Sequence, residues 1–462
     1  MKKKVLRILL MLTIVMSLFL ALSISASAFD WEGEQFPTNG TYGNIRLTAN
    51  NPYYVHYSKP FNSESDFNTI IDEFNKMEFQ SKDIYDLQIN IYQDMSVSDF
   101  DIDAVHSSLT LNLNGHTLTV TGNKCHTLEN LIINGDGGTI DYKNVEHDDS
   151  LFTFDEVVGN HTNSIIHLDN VTIQNVSAER LFDLEDPYSP NDPDSYPGVG
   201  LSNVTFRNIK AGSYGGVFYI NNPMLHDINF TNVHFGDVES KHSGGAIYVN
   251  NIMNSEDDYA KLNMTGCSFE NCTSKNDANN GGGGAIYLNN YYVYVGNSSS
   301  EYKDKNVCSE CKSAGSGGAI YDRQGYNTIQ NFRFEKNSCD SSSWGGGAIV
   351  LDGYKSSYLN CDFNFNHAQN GYGGAIYLYH SSSGATINNC SFSGNTVPYG
   401  HDGPDIYNKP GSMTDNSFES GNPFGFTLSG GNLWIVIAGG VVVLGGIAAI
   451  IVVSKKKKKN AA

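Results

Sequence analysis

The sequence predicts an all-β protein folded as a parallel β-helix, and three observations carry that reading. The pentapeptide GGAIY recurs at Gly244, Gly283, Gly317 and Gly373, with GGAIV at Gly346 and weaker copies, GGVFY and GPDIY, at Gly215 and Gly403. A second motif alternates with it: LENLII (128–133), LDNVTI (168–173), LSNVTF (201–206) and LHDINF (225–230), continued by CSFENC, NVCSEC, FRFEKN, CDFNFN and CSFSGN. Its marker position runs Ile133, Ile173, Phe206, Phe230, Phe269, Cys308, Phe334, Phe363 and Phe392. Self-similarity at a nearly fixed period marks a solenoid. Within these segments apolar residues alternate instead of recurring every 3.6 residues, and Gly, Asn and Ser separate them, which reads as strands and turns. The repeat is too short for a four-stranded propeller blade and long enough for one coil of three strands.

Taken in order, residues 1–28 have Lys2, Lys3, Lys4 and Arg7, an apolar run from Ile8 to Leu22, and the small-residue sequence SISASA. They read as a signal peptide. Residues 29–84 form an N-terminal cap region. There Ser65–Met77 predicts a helix with Ser65 as N-cap and Phe67, Ile70, Ile71 and Phe74 on one face, placed to cover the first edge of the solenoid. Residues 85–408 form the β-helix. Two coils without the motif, QINIYQD and LTLNLNGHTLT, open a stack of about eleven or twelve coils spaced at roughly 4.8 Å. A linker, 409–432, leads to an uncharged apolar stretch, Leu433–Val453, of about the 20 residues a membrane-crossing helix needs. Lys455–Lys459 follow at once, so the tail 454–462 is expected in the cytoplasm and the coils outside, at the cell surface.

Within each coil the paired glycines, Gly244 and Gly245, Gly283 and Gly284, Gly317 and Gly318, Gly346 and Gly347, Gly373 and Gly374, are expected at a crowded corner. Two-residue alternation then turns Ile247 and Val249 inward. Phe206, Phe230, Phe269, Phe334, Phe363 and Phe392 are expected to stack inside, each burial contributing about 1.5–3 kcal/mol. Asn208, Asn232, Asn271, Asn337, Asn366 and Asn395 sit near turns, where stacked amides satisfy backbone groups and one another. Of the eight cysteines, Cys267, Cys361 and Cys390 lie two residues before a marker Phe and Cys308 replaces one, so they read as buried thiols. Cys361 with Cys390, and Cys272 with Cys311, occupy equivalent places in adjacent coils, close enough for a bridge. Cys308-x-x-Cys311 has no second such pair, and no metal is expected.

The alternating GGAI and FxxN motifs, the latter at Phe334–Asn337, Phe363–Asn366 and Phe392–Asn395, resemble the repeats of the polymorphic outer-membrane proteins and related adhesin-like β-helix proteins. The likeness is strong over residues 200–408 and extends to 85–200 only through fold. It implies a right-handed coil, a surface-exposed passenger that is often an adhesin, no catalytic residues and no cofactor. The chain departs from that family at its C-terminus, where one apolar stretch and a lysine tail stand in place of a β-barrel.

All 49 acidic residues lie between the two ends, and nine of the 29 basic residues lie in them. Such a field repels nucleic acid and polyanions. The leading expectation is a membrane-anchored adhesin-like protein that binds a glycan or protein on another cell or matrix. Tyr219, Tyr248, Tyr287, Tyr321, Tyr377 and Tyr407, with Val350 in the gap, are expected to project outward as an exposed aromatic stripe. Longer segments at 251–260 and 289–305 are expected on one side of adjacent coils, gathering Tyr259, Tyr291, Tyr292, Tyr294 and Tyr302 beside it. A second reading is an extracellular polysaccharide lyase or glycoside hydrolase using Asp322 and Arg323, with Asp352 in the place of Asp322 one coil later. A third is a structural surface rod. His242, His367 and His401 form no Ser-His-Asp pattern, and no catalytic residue is assigned.

Overall fold

A computed structural model describes residues 41–48, 59–61, 63–75 and most of 84–419, with three strands inside 432–451. Residues 103–106, 155–165, 186–197, 222–226, 251–259, 278–280, 300–303 and 380–383 are among those outside it, as are the expected leader 1–28 and the tail 454–462. The repeats form a coiled stack of three sheets, of 14, 16 and 10 strands, called here A, B and C, parallel except at the first two strands of A. One coil illustrates the path: Ala260–Thr265 in A, Ser268–Glu270 and Thr273–Ser274 in B, Ile286–Asn289 in C, then Val293–Gly296 back in A. In sheet C the repeated isoleucines lie rung over rung, Ile247 on Ile286, Ile286 on Ile320, Ile320 on Ile349 and Ile349 on Ile376.

The recurring sequence follows from the corners. Between A and B the chain passes through a left-handed residue in coil after coil, at Asn170, Asn203, Asn232, Asn331, Asn360 and Asn389, with φ between 49° and 63°. Asparagine tolerates that region because its short side chain bonds locally. Ahead of sheet C the first glycine of each pair takes the same role, Gly244 having φ 72°. Its partner is needed for a different reason. A Cβ on Gly245 would lie 1.8 Å from the carbonyl oxygen of Gly284 in the next coil, so two backbones meet where no side chain fits.

The inward phenylalanines stack, but the column differs from the expected one. Sheet B aligns Ile140, Ile173, Phe206, Phe235, Phe269, Cys308, Phe334, Phe363, Phe392 and Phe418. Ile133 and Phe230 belong instead to sheet A, in the column Ile133, Leu168, Leu201, Phe230, Met264. LDNVTI and LSNVTF each run from the end of an A strand through the left-handed Asn170 or Asn203 into a B strand, whereas LENLII and LHDINF end within sheet A. Both sheets bury the same alternating pattern, so spacing alone does not separate them. Ring centroids of Phe334, Phe363, Phe392 and Phe418 follow one another at 5.0, 4.8 and 4.8 Å.

The amide ladders form as expected along several lines. Asn208 Nδ2 donates to Asn175 Oδ1 at 2.6 Å and Asn232 Nδ2 to Asn203 Oδ1 at 3.1 Å; Asn271 Nδ2 donates to a carboxylate, Asp237 Oδ1, at 2.7 Å. The buried column Asn337, Asn366, Asn395 is tighter. Asn337 donates both N (3.0 Å) and Nδ2 (2.9 Å) to Asn366 Oδ1, and Asn366 repeats the pattern on Asn395.

At the N-terminal end, strand β1 (Thr41–Thr48) pairs antiparallel with both β2 (Lys59–Phe61) and β3 (Ile84–Asn90), the first parallel rung of sheet A. Helix α1 (Glu64–Asn75) buries Phe67, Ile70, Ile71 and Phe74 as expected. Its cap is Ser63 and not Ser65: Ser63 Oγ accepts from Asp66 N at 3.3 Å and donates to the Asp66 carboxylate at 3.0 Å. Asp66, three residues on, completes a reciprocal pair with it.

Past residue 408 the ladder continues, Ser412–Thr414 adding to sheet A and Ser417–Phe418 to sheet B. Over Leu433–Val453, expected as a membrane-crossing helix, the structure has instead three antiparallel strands, Asn432–Ile437, Gly440–Gly445 and Ala448–Ile451. No helix among the described residues is long and apolar enough to cross a membrane. The local reason is composition: the run is rich in Val and Ile, which favour strands, and its two Gly-Gly pairs mark turns.

Two substitutions test the stack. Phe363→Ala removes a fully buried ring and is expected to cost about 3–5 kcal/mol by denaturant unfolding, whereas Phe365→Ala, at a side chain 60% exposed, stays within about 0.5 kcal/mol. Gly245→Ala, forced against the Gly284 carbonyl, is expected to lose at least as much as Phe363→Ala; a wild-type midpoint contradicts the backbone contact.

Candidate functional site

Sheet C does present a tyrosine column on the face away from the main core. Tyr219, Tyr248, Tyr287 and Tyr321 stack in register, then Val350, Tyr377 and Tyr407. Successive rings of the first four are 5.4, 5.1 and 4.8 Å apart, within 25° of parallel. The column is not the bare stripe that alternation predicts. Tyr287, Tyr321, Val350 and Tyr377 are buried as a second hydrophobic cluster, with Tyr248, Trp344, Tyr372 and Tyr407 packed against it. The corner segments ahead of the glycine pairs carry Trp344 and Tyr372 over the rings, Trp344 reaching Tyr377 at 6.4 Å and Tyr321 at 6.5 Å. Tyr321 OH donates to Asp352 at 3.2 Å, and Arg323 donates to Tyr287 OH at 3.5 Å. Of the three tyrosines singled out from this column, Tyr248 is half-buried and Tyr287 and Tyr321 are covered.

The two longer segments do not lie at one corner. Residues 251–259, with Tyr259, fall outside the described residues, as does Tyr302. Segment 289–305 is not a single loop, because Val293–Gly296 is the sheet A strand of its coil, in register with Ala260–Asn263. Its extra length follows that strand, before the sheet B strand Asn306–Ser309, whereas residues 251–259 connect the sheet C strand Ile247–Asn250 to the sheet A strand Ala260–Thr265. Tyr291 and Tyr292 occupy the C-to-A corner, where their rings meet Tyr326 at 6.1 and 5.3 Å and Lys355 Nζ lies 5.8 Å from the Tyr326 centroid. Tyr291 is 45% exposed.

Beside this aromatic corner, the outer face of sheet A holds an open groove of about 630 Å³. Three consecutive rungs build it. Lys261, Tyr294 and Thr328 stand in one column and Asn263, Gly296 and Gln330 in the next. Gly296 leaves the middle of the second column without a side chain. Thr265, Asn297 and Ser298 form the wall toward sheet B. That wall is braced, since Asn297 Nδ2 donates to the carbonyls of Met264 at 2.6 Å and Asp304 at 2.9 Å. Among the described residues, Lys261, Thr328 and Gln330 form no side-chain hydrogen bond or ion pair, so the groove offers an ammonium, a hydroxyl and an amide beside the half-buried ring of Tyr294. Tyr294 was legible as a candidate. Lys261, Asn263 and Gln330 were not, because nothing in sequence spacing shows which outward positions of sheet A become neighbours.

The residues considered for lyase chemistry are placed differently from expectation. Asp322 pairs across the rung with Leu351, so Asp352 aligns with Arg323 and not with Asp322. Asp322 also faces inward, at a place held by Leu288, Leu351 and Leu378 in other coils. It is fully buried and accepts from Asn327 Nδ2 at 2.8 Å, Gly325 N at 3.2 Å and Tyr358 OH at 3.4 Å. His242 and His401 stack on Tyr214 and Tyr372, and His367 Nδ1 lies 2.8 Å from the Thr396 hydroxyl. Among the described residues no three His, Cys, Asp or Glu side chains gather as a metal site.

Burial pushes the Asp322 carboxyl up to about 6 from its ordinary 3.8, against hydrogen bonds from Ser356, Asn327, Gly325 and Tyr358 that pull it down. Between those two values the folded chain keeps a proton that the unfolded chain has lost. Asp322 therefore favours folding most below its unfolded value and loses that contribution, on the order of 2–3 kcal/mol, as pH rises through the folded one. Asp322→Asn retains an acceptor and does not titrate. Its stability relative to wild type is expected to improve across this window; a pH-independent difference contradicts the assignment. Tyr321→Ala is expected to cost about 3–5 kcal/mol, as for a core ring; a loss under about 1 kcal/mol would mean the cluster is open.

No protein-family model matches this chain, and no curated protein and no solved structure is significantly similar to it.

Proposed function

We propose that this chain is an adhesin-like surface protein, a right-handed β-helix related to the polymorphic outer-membrane repeat proteins, that binds a glycan on another cell or on the surrounding matrix through the sheet A groove. In this reading the leader exports the coils. The uncharged run 433–453, followed by Lys455–Lys459, anchors them as a single crossing once in lipid, where a helix satisfies its own backbone and open strands do not.

The observation that carries the proposal is the make-up of the groove. A sugar presents apolar faces and a fringe of hydroxyls, and it packs on an aromatic ring while its hydroxyls exchange hydrogen bonds with fixed amides and cations. Tyr294 supplies the ring; Lys261, Asn263, Thr328 and Gln330 supply the polar groups, all on one rigid sheet. An open groove across three rungs suits part of a chain of sugars better than an enclosed metabolite. The 49 acidic residues disfavour a polyanion, which leaves a neutral or singly charged glycan. The half-exposed rings of Tyr291 and Tyr292 extend the platform at the adjoining corner.

The test is binding of the full chain in detergent micelles to an immobilised glycan panel. Wild type is expected to retain a subset of neutral glycans, and Tyr294→Ala to lower that affinity by about tenfold, roughly 1.4 kcal/mol, at unchanged melting temperature. A wild-type protein that retains no glycan, or a Tyr294→Ala variant that binds as well as wild type, overturns the proposal.

A further inference from the structure

We infer that Cys272 with Cys311, and Cys361 with Cys390, are joined as disulfides between consecutive coils in the exported protein. All eight cysteines carry free thiols in the structure, and the register selects these two pairs from among them. Thr273 pairs with Lys312, which sets Cys272 directly against Cys311. Asp362 pairs with Ser391, which does the same for Cys361 and Cys390. In each pair the thiols lie within interaction range of one another. Equivalent residues of neighbouring parallel strands are about 4.8 Å apart, inside the roughly 4.4–6.8 Å between α-carbons that a disulfide spans.

The other four cysteines have no such neighbour. Cys308 lies between Phe269 and Phe334, and Cys339 between Ser313 and Ala368. Cys267 meets Asn306, whose side-chain oxygen accepts its backbone N–H at 3.0 Å. Cys125 precedes His126, whose rung partner is Phe152. Cys308-x-x-Cys311, the pair that sequence proximity suggests, is thus divided between two columns with different partners.

Closing each bond joins two sulfurs and releases two protons and two electrons, which pass to the disulfide of an oxidised thiol–disulfide oxidoreductase and leave it as a dithiol. All four thiols are at most 2% exposed, and a buried thiol presents little reactive thiolate to an outside oxidant. The bonds therefore form as each coil docks on the one before it. The first ties the coil of Lys261 and Asn263 to that of Tyr294 and Gly296, the two rungs that open the groove. The inference rests on export of the chain and not on glycan binding, so the failure of one leaves the other standing.

The test is a peptide map of the full chain, produced through an oxidising compartment and denatured in alkylating reagent without reductant. Cys125, Cys267, Cys308 and Cys339 are expected alkylated, and the peptides of Cys272 and Cys311, and of Cys361 and Cys390, recovered joined. In Cys361→Ser, Cys390 is expected alkylated with the first bridge intact. Eight alkylated cysteines, a bridge from Cys308 to Cys311, or a mixture of pairings overturns the inference.

Discussion

The structure depends on one requirement: every coil must bring its backbone into contact with the next at a fixed spacing, at the same corner each time. The contact recurs where the second glycine of the repeated pair meets the carbonyl of the coil above. Gly245, Gly284, Gly318 and Gly347 each hold a place where a Cβ would fall between 1.8 and 2.1 Å from that oxygen. Once this contact is kept in register, the isoleucines two residues later must stack, the tyrosines beside them must stack on the opposite face, and the phenylalanines of sheet B must form a column. Repetition in the sequence is thus the trace of a translational symmetry that backbone sterics impose.

Stacking identical residues creates a problem for buried polar groups and also solves it. At the corner where Val238, Cys272 and Cys311 give way to Asn337, Asn366 and Asn395, an apolar column becomes an amide column. An isolated buried amide is costly. A stacked one bonds the backbone N–H and amide of its neighbour, and at the last rung Asn395 Nδ2 finds Asp405 Oδ1 at 3.0 Å and the Phe363 carbonyl at 2.9 Å. Asp322 achieves less. Placed among leucines, it keeps hydrogen bonds from Ser356, Asn327, Gly325 and Tyr358 but is held toward its protonated form. The groove follows from the same geometry: because rungs are fixed, outward residues separated by more than thirty positions, such as Lys261, Tyr294 and Thr328, become immediate neighbours.

Much of this was legible in the sequence. The repeat gave the three-strand coil, the glycine corner, the inward Ile and Phe and the amide ladders, because each is set by local backbone needs that recur. What failed was whatever depends on how one sheet meets the next. Ile133 and Phe230 were read into the wrong column because sheets A and B bury the same alternating pattern. The tyrosines were correctly read as facing away from the core, yet alternation says nothing of Trp344 and Tyr372 folding over them. Val293–Gly296 was hidden in a tyrosine-rich stretch that reads as a loop. At the C-terminus, hydropathy points to a membrane helix while β-branched residues and glycine pairs point to strands, and surroundings decide between the two.

The claim on which the rest turns is that coils stack in this register, and it is tested most directly by distances along the outer face of sheet A. His167, Asn229, Gln330 and Asn388 occupy one column. Spin labels introduced there through a non-natural amino acid, two at a time, report their separation by pulsed electron resonance. From His167 the distance is expected to rise linearly with the number of rungs, from about 10 Å at Asn229 through about 24 Å at Gln330 to about 34 Å at Asn388. Separations that do not grow with rung number would contradict the stacked coil and every placement that follows from it.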